Sequence, residues 1–167
     1  MISHSGELSQ TEHRLARTSF VEATIENCSL EYLLSFDVVV ANMVLMDVLS
    51  LDSFLEGCKR AVVNGGALVF SITHPCFWPK YYGDASADWY RYESEIIIEG
   101  PFRISADRVG SLPSTHIHRP LSAYFSAFAR AGFVLRAFAE PTPPADVDAS
   151  YRDQWKFPRY IVGLCTS

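Results

Sequence analysis

Two apolar phrases, FDVVVANMVLMD from Phe36 to Asp47 and NGGALVFSITHP from Asn64 to Pro75, bracket an amphipathic stretch, and this arrangement restricts the fold more than any other part of the chain. Each phrase is rich in Val, Phe and Ile and too short to span a membrane, which is how strands covered on both faces read. Between them, Leu51, Phe54, Leu55, Cys58, Ala61 and Val62 recur at helical spacing, with Asp52, Glu56, Lys59 and Arg60 on the opposite side. Asn64-Gly65-Gly66 is expected to stop that helix and return the chain tightly. A strand, a helix and a second strand at this spacing require two parallel strands joined by a right-handed crossover. The class is therefore α/β.

The wording of these phrases resembles the second half of a class I S-adenosylmethionine-dependent methyltransferase. Phe36, Asp37, Val39 and Leu45 fit that family's FDxVxxxxxL phrase on its fourth strand, and Asn64-Gly65-Gly66 stands where the family has Pro-Gly-Gly before its fifth. The run HRPLSAYFSAFARAGFVLRAFAEP from His118 to Pro141 is similar to the family's last helix and sixth strand, and RYIVGLC from Arg159 to Cys165 to its seventh. The resemblance covers about residues 1–75 and 116–166. It implies a Rossmann-like sheet in a three-layer α/β/α domain, mostly parallel with an antiparallel C-terminal strand. It also implies S-adenosylmethionine as cofactor, with Asn42, Met43 and Val44 at the end of the fourth strand lying against it. Thr24 falls where the family often has an Asp that bonds the adenine amino group, with Ile25 beside it.

At the start of the chain the match is incomplete. Aligned on Ser3, the family's ribose-binding acidic position falls on Met1, so the first two strands are expected to be missing, and no GxGxG phrase occurs. Leu8, Glu12, Leu15 and Ala16 read as the helix that follows, and Thr18 to Thr24 as the third strand. In the family's strand order, 3-2-1-4-5-7-6, loss of the first two would leave residues 36–42 as a bare apolar edge. Such edges are normally covered, and a homodimer through that strand or a collapsed sheet is expected, ahead of a separate polypeptide that supplies the missing half. Two functions are expected from this pattern: methyl transfer to a small-molecule acceptor, with this chain inactive if truncated, or a non-catalytic remnant of the fold that dimerises or binds a partner.

With 49% hydrophobic and 20% charged residues, the 167-residue chain has the composition of one globular domain. A net charge of −5 and the lack of any basic run argue against a nucleic-acid partner. No apolar stretch is long enough for a membrane span. The four cysteines, Cys28, Cys58, Cys76 and Cys165, are scattered without a CxxC, which points to a reduced, cytoplasmic setting.

Residues 76–115 form an aromatic-rich insertion, where the resemblance implies a substrate lid, and Gly100-Pro101 reads as the turn of a hairpin whose one arm is Ile96 to Ile98. Trp78, Tyr82 and Trp89 within it, with His118 beyond it, are candidates for holding an apolar or planar acceptor; packing of these aromatics onto the sheet is the alternative. His74, directly after the fifth strand, and Asp47 are candidate bases for an acceptor that must lose a proton. The alternative for His74 is a strand-ending imidazole that caps nearby backbone. His116 and His118 alternate on one face of an extended segment, as two metal ligands can, but no remaining ligands are apparent and no metal is expected.

Overall fold

The computed structural model describes residues 18–27, 32–101, 112–148 and 155–167. In chain order the elements are β1 (Phe36–Asn42), α1 (Leu51–Ala61), β2 (Val62–Thr73), α2 (Trp78–Tyr82), β3 (Ile96–Pro101), β4 (Pro113–His118), α3 (Leu121–Arg130), β5 (Val134–Ala139), α4 (Ala145–Asp148) and β6 (Tyr160–Thr166). One sheet has the order β1-β2-β6-β5, and β3 pairs with β4 in a separate ribbon. β1 and β2 are parallel, whereas β6 runs antiparallel to both β2 and β5. This is the 4-5-7-6 half of the expected order, with the antiparallel C-terminal strand where the resemblance put it.

Alternation along the strands decides what the sheet buries. Leu68, Phe70 and Ile72 on β2 are almost wholly buried, and their ladder partners Val39 and Ala41 on β1 and Cys165, Gly163 and Ile161 on β6 share that face. Against it lie Leu51, Leu55 and Cys58 of α1 and Tyr124, Ala127 and Phe128 of α3, with the Phe70 and Phe128 rings 4.6 Å apart. Burial of such side chains contributes about 1.5–3 kcal/mol each. Ser50 caps α1 by accepting the Ser53 amide at 3.2 Å, Asp52 sits in its first turn, and Lys59 and Arg60 lie in its last. Asp52 also forms a forked pair with Arg130 of α3 at 2.7 and 3.0 Å. Both side chains are exposed, so the pair aligns the helices more than it stabilises them.

The opposite face of the sheet is different. Val38 and Val40 of β1, Val134 of β5 and Val162 of β6 project there and are 37–66% exposed. Among the described residues both long helices lie on the other face, and β1 has β2 as its one ladder partner.

Three local expectations are corrected. Residues 18–24 are not a strand: they are irregular and exposed, and lead into a 3-10 turn at Ile25–Asn27 seated on α1. Gly57 makes that seating feasible, since a Cβ there would lie 2.7 Å from the Ile25 carbonyl oxygen. Arg60 Nη2 adds a bond to the Glu26 carbonyl at 2.9 Å. The Asn64-Gly65-Gly66 phrase does not stop α1, which passes directly into β2 at Val62. It forms a bulge instead: the register with β1 jumps between Phe36↔Val62 and Val38↔Ala67, and Gly65 takes φ +77°. Gly100-Pro101 is not a turn but the end of β3, paired with Ser114 and Pro113.

Candidate functional site

Beyond the carboxyl ends of β1 and β2 lies a cleft of about 780 Å³. Its floor holds Met43, Met46 and Asp47 from the chain after β1, Thr73 from the end of β2, and Arg159 and Tyr160 at the start of β6. One wall is α2 with Trp78, Tyr81 and Tyr82, followed by Asp84. The other is the ribbon, through Ile98 to Pro101 and Ser114 to His116. Open α/β sheets bind ligands at this end of their strands.

The floor is fixed by backbone geometry. Met43 leaves β1 in the left-handed region, φ 53°, which is uncommon for a side chain of its size. Its amide is held by the carbonyl and hydroxyl oxygens of Ser71, each at 3.0 Å, and the Ser71 hydroxyl donates to Asn42 Oδ1 at 2.6 Å. Strain of this kind persists where the surroundings over-determine it.

The next segment, Leu45 to Leu49, is clamped by the ribbon and the residue that follows it. The Ile117 amide donates to the Met46 carbonyl at 2.7 Å. Arg119, 2% exposed, donates from Nη1 to the Leu45 carbonyl at 3.2 Å and from Nη2 to those of Val48 and Leu49 at 2.9 and 3.0 Å. Its Nε meets Glu95 at 2.6 Å. Asp47 projects from the clamped loop. The same clamp sets His116, one residue before Ile117, alongside it, with Nδ1 3.8 Å from Asp47 Oδ1.

His116 is the group that sequence reasoning placed least well. Its ring stacks on Trp78 with centroids 4.0 Å apart and planes 18° apart, and Trp78 stacks on Tyr82 at 4.5 Å. Burial first, then the positive fields of His118 and Arg119, push the imidazole down from 6.5 to about 4. Burial pushes the Asp47 carboxyl up. The HxH alternation gave the face of the strand correctly, but not that the face meets Asp47, nearly seventy residues earlier.

The other predicted positions are distributed as follows. Met43, Asp47, Trp78 and Tyr82 converge on the cleft; Asn42 and Val44 flank Met43, with Asn42 exposed and Val44 packed partly on the core. His74 is buried outside the cleft lining. Its Nε2 meets Glu140 at 2.6 Å, its Nδ1 accepts the Cys76 amide at 3.2 Å, and its ring packs on Phe77. His118 is buried too, with Nε2 donating to the Tyr92 carbonyl at 3.0 Å, and Trp89 is half exposed beside Tyr90. Thr24 is exposed, and Ile25 rests on Gly57 away from the cleft lining. Arg159 is held between the rings of Tyr81 and Trp155, 4.1 and 5.0 Å from their centroids. Among the described residues no group of three or more His, Cys, Asp or Glu side chains is placed to hold a metal ion, and no helix is long and apolar enough to cross a membrane.

The pinned Met43 and the exposed Asn42 lie together at the end of β1, whereas Ile25 is seated on α1.

A family model described as a methyltransferase domain matches residues 1–70. No curated protein matches the chain. Among solved structures, a protein from Listeria monocytogenes described as an S-adenosylmethionine-dependent methyltransferase superposes with a TM-score of 0.69 at 21% identity, over 97% of this chain and 76% of that one. One from Mesorhizobium loti gives 0.61 at 18%, over 97% and 77%. A 1,6-didemethyltoxoflavin-N1-methyltransferase from Burkholderia thailandensis, solved with its acceptor and S-adenosylhomocysteine, gives 0.56 at 11%, over 99% and 58%. The fold is that of the S-adenosylmethionine-dependent methyltransferases, as the resemblance implied.

The His116 environment sets a pH dependence. Its folded pKa lies below its unfolded one, so the unfolded chain takes up this proton first as the pH falls. Stability that is fully present above pH 6.5 is therefore lost between 6.5 and about 4. The shift corresponds to about 3 kcal/mol. Urea midpoints across that range should show the wild type losing about this much more than His116→Gln, and parallel losses would refute the burial of a neutral imidazole.

Proposed function

We propose that this chain, whose fold is that of the class I methyltransferases, takes part in methyl transfer from S-adenosylmethionine to a small-molecule acceptor bound in the cleft. The observation that carries this reading is the convergence of Met43, Asp47, Trp78 and Tyr82 on one cavity at the carboxyl ends of β1 and β2. S-adenosylmethionine supplies an electrophilic methyl on a sulfonium sulfur. Asn42, Met43 and Val44 would form one side of its site, as the resemblance implies, whereas Ile25, seated on Gly57, lies away from the cleft lining. The acceptor would lie between α2 and the ribbon, in the aromatic insertion read as a lid.

Methyl transfer is an in-line displacement, and most of what a protein supplies is position. Trp78, Tyr81, Tyr82 and Tyr160 offer flat apolar surface with polar tips, which suits a planar acceptor of modest size. The cavity volume is within the range of small-molecule sites. That the Burkholderia enzyme is solved with 1,6-didemethyltoxoflavin bound agrees with a small-molecule acceptor.

The exposed valines of the second sheet face and the open edge of β1 favour a second reading: a homodimer through residues 36–42, with or without catalysis. Light scattering after size exclusion should then give twice 18.7 kDa, and a particle of 18.7 kDa removes this reading.

Titration calorimetry separates the catalytic reading from the remnant. Both S-adenosylmethionine and S-adenosylhomocysteine should give saturable heat, weakened about tenfold by Met43→Ala, which corresponds to about 1.4 kcal/mol. No heat from either ligand would contradict it.

A further inference from the structure

Resting on that reading of the cleft, we propose that His116, backed by Asp47, takes the proton of the acceptor, and that the acceptor therefore reacts through a weakly acidic O–H or ring N–H. Of the three described imidazoles, His74 has both nitrogens engaged, by Glu140 and the Cys76 amide, and His118 spends Nε2 on the Tyr92 carbonyl. Neither lines the cleft. His116 does, and among the described residues it makes no hydrogen bond at either nitrogen.

The ring is nonetheless oriented. Stacking on Trp78 fixes its plane, and the clamp between Ile117 and Met46 fixes its place along the floor. Nδ1 then faces Asp47 at 3.8 Å, too long for a hydrogen bond but within one small shift of it. Contacts of this kind often tighten when a site fills. With the proton on Nδ1 and directed at the carboxylate, Nε2 carries the lone pair on the opposite edge of the ring. Among the described residues, His118 and Arg119 act on the ring through their fields, and Asp84, Glu99 and Arg159 are the other charged residues that line the cleft with it and Asp47.

The step balances without a further reagent. The acceptor's oxygen or nitrogen bonds to the methyl carbon as the carbon–sulfur bond breaks, the electron pair stays on sulfur, and the proton passes to Nε2. Asp47 offsets the positive charge that the imidazole then carries. A thioether or a carbanion acceptor has no such proton to give, and would leave this pair without a task.

The test has two arms. In histidine-¹⁵N-labelled protein, NMR should show His116 neutral between pH 6 and 8 with its proton on Nδ1, and Asp47→Asn should shift that proton toward Nε2. A proton on Nε2 in the wild type, or a tautomer indifferent to Asp47→Asn, overturns the proposal. In the second arm, methyl-labelled S-adenosylmethionine is offered with catechol and with benzimidazole as probes. His116→Gln and Asp47→Asn should each lower kcat about 100-fold with KM within threefold and donor affinity unchanged, as loss of a general base does. Unchanged kcat in both variants overturns it. Failure of the wild type to bind the donor overturns the methyl-transfer reading instead, and the tautomer measurement then decides the proton assignment by itself.

Discussion

The buried guanidinium of Arg119 is the contact on which the site depends. It bonds three backbone carbonyls, those of Leu45, Val48 and Leu49, and so ties down the loop after β1 that forms the floor. Bonds from a charged donor are worth about 1.5–3 kcal/mol, and of the three carbonyls that of Leu45, the buried one, loses most if the donor is removed. Glu95 keeps the guanidinium from being an uncompensated buried charge. Because Arg119 directly follows β4, the same residue ties the aromatic insertion to the sheet. Cleft wall and cleft floor thus share one anchor, and the juxtaposition of His116 with Asp47 is its product.

Much of the frame was legible in the sequence for local reasons. β1, α1 and β2 follow from short apolar runs and a helical stripe, and α3, β5 and β6 stand where the family's phrasing placed them. What was not legible depended on contacts between distant segments. The glycines at 65 and 66 read as a helix stop, but with Val62 already paired to Phe36 the extra residues had to be absorbed as a bulge. Thr18 to Thr24 has the composition of a strand. The missing side chain of Gly57 instead lets the following turn lie directly on α1.

The candidate site divides in the same way. That Met43, Asp47, Trp78 and Tyr82 line one cleft was legible in part, because position after a strand, or aromatic density, is visible in one dimension. His74 was singled out by position alone, and its partners Glu140 and Cys76 could not be seen. His116 was noticed only as half of an HxH pair. Its stacking on Trp78 and its approach to Asp47 are tertiary facts.

The two faces of the sheet frame the functional question. One face is packed by α1 and α3 and supports the cleft at its end; the other presents Val38, Val40, Val134 and Val162. Whether the cleft is a methyl-transfer site is tested most directly by mapping S-adenosylhomocysteine onto the protein with backbone amide NMR. Shifts should concentrate at Asn42, Met43 and Val44. Saturating ligand with those amides unmoved would contradict that assignment.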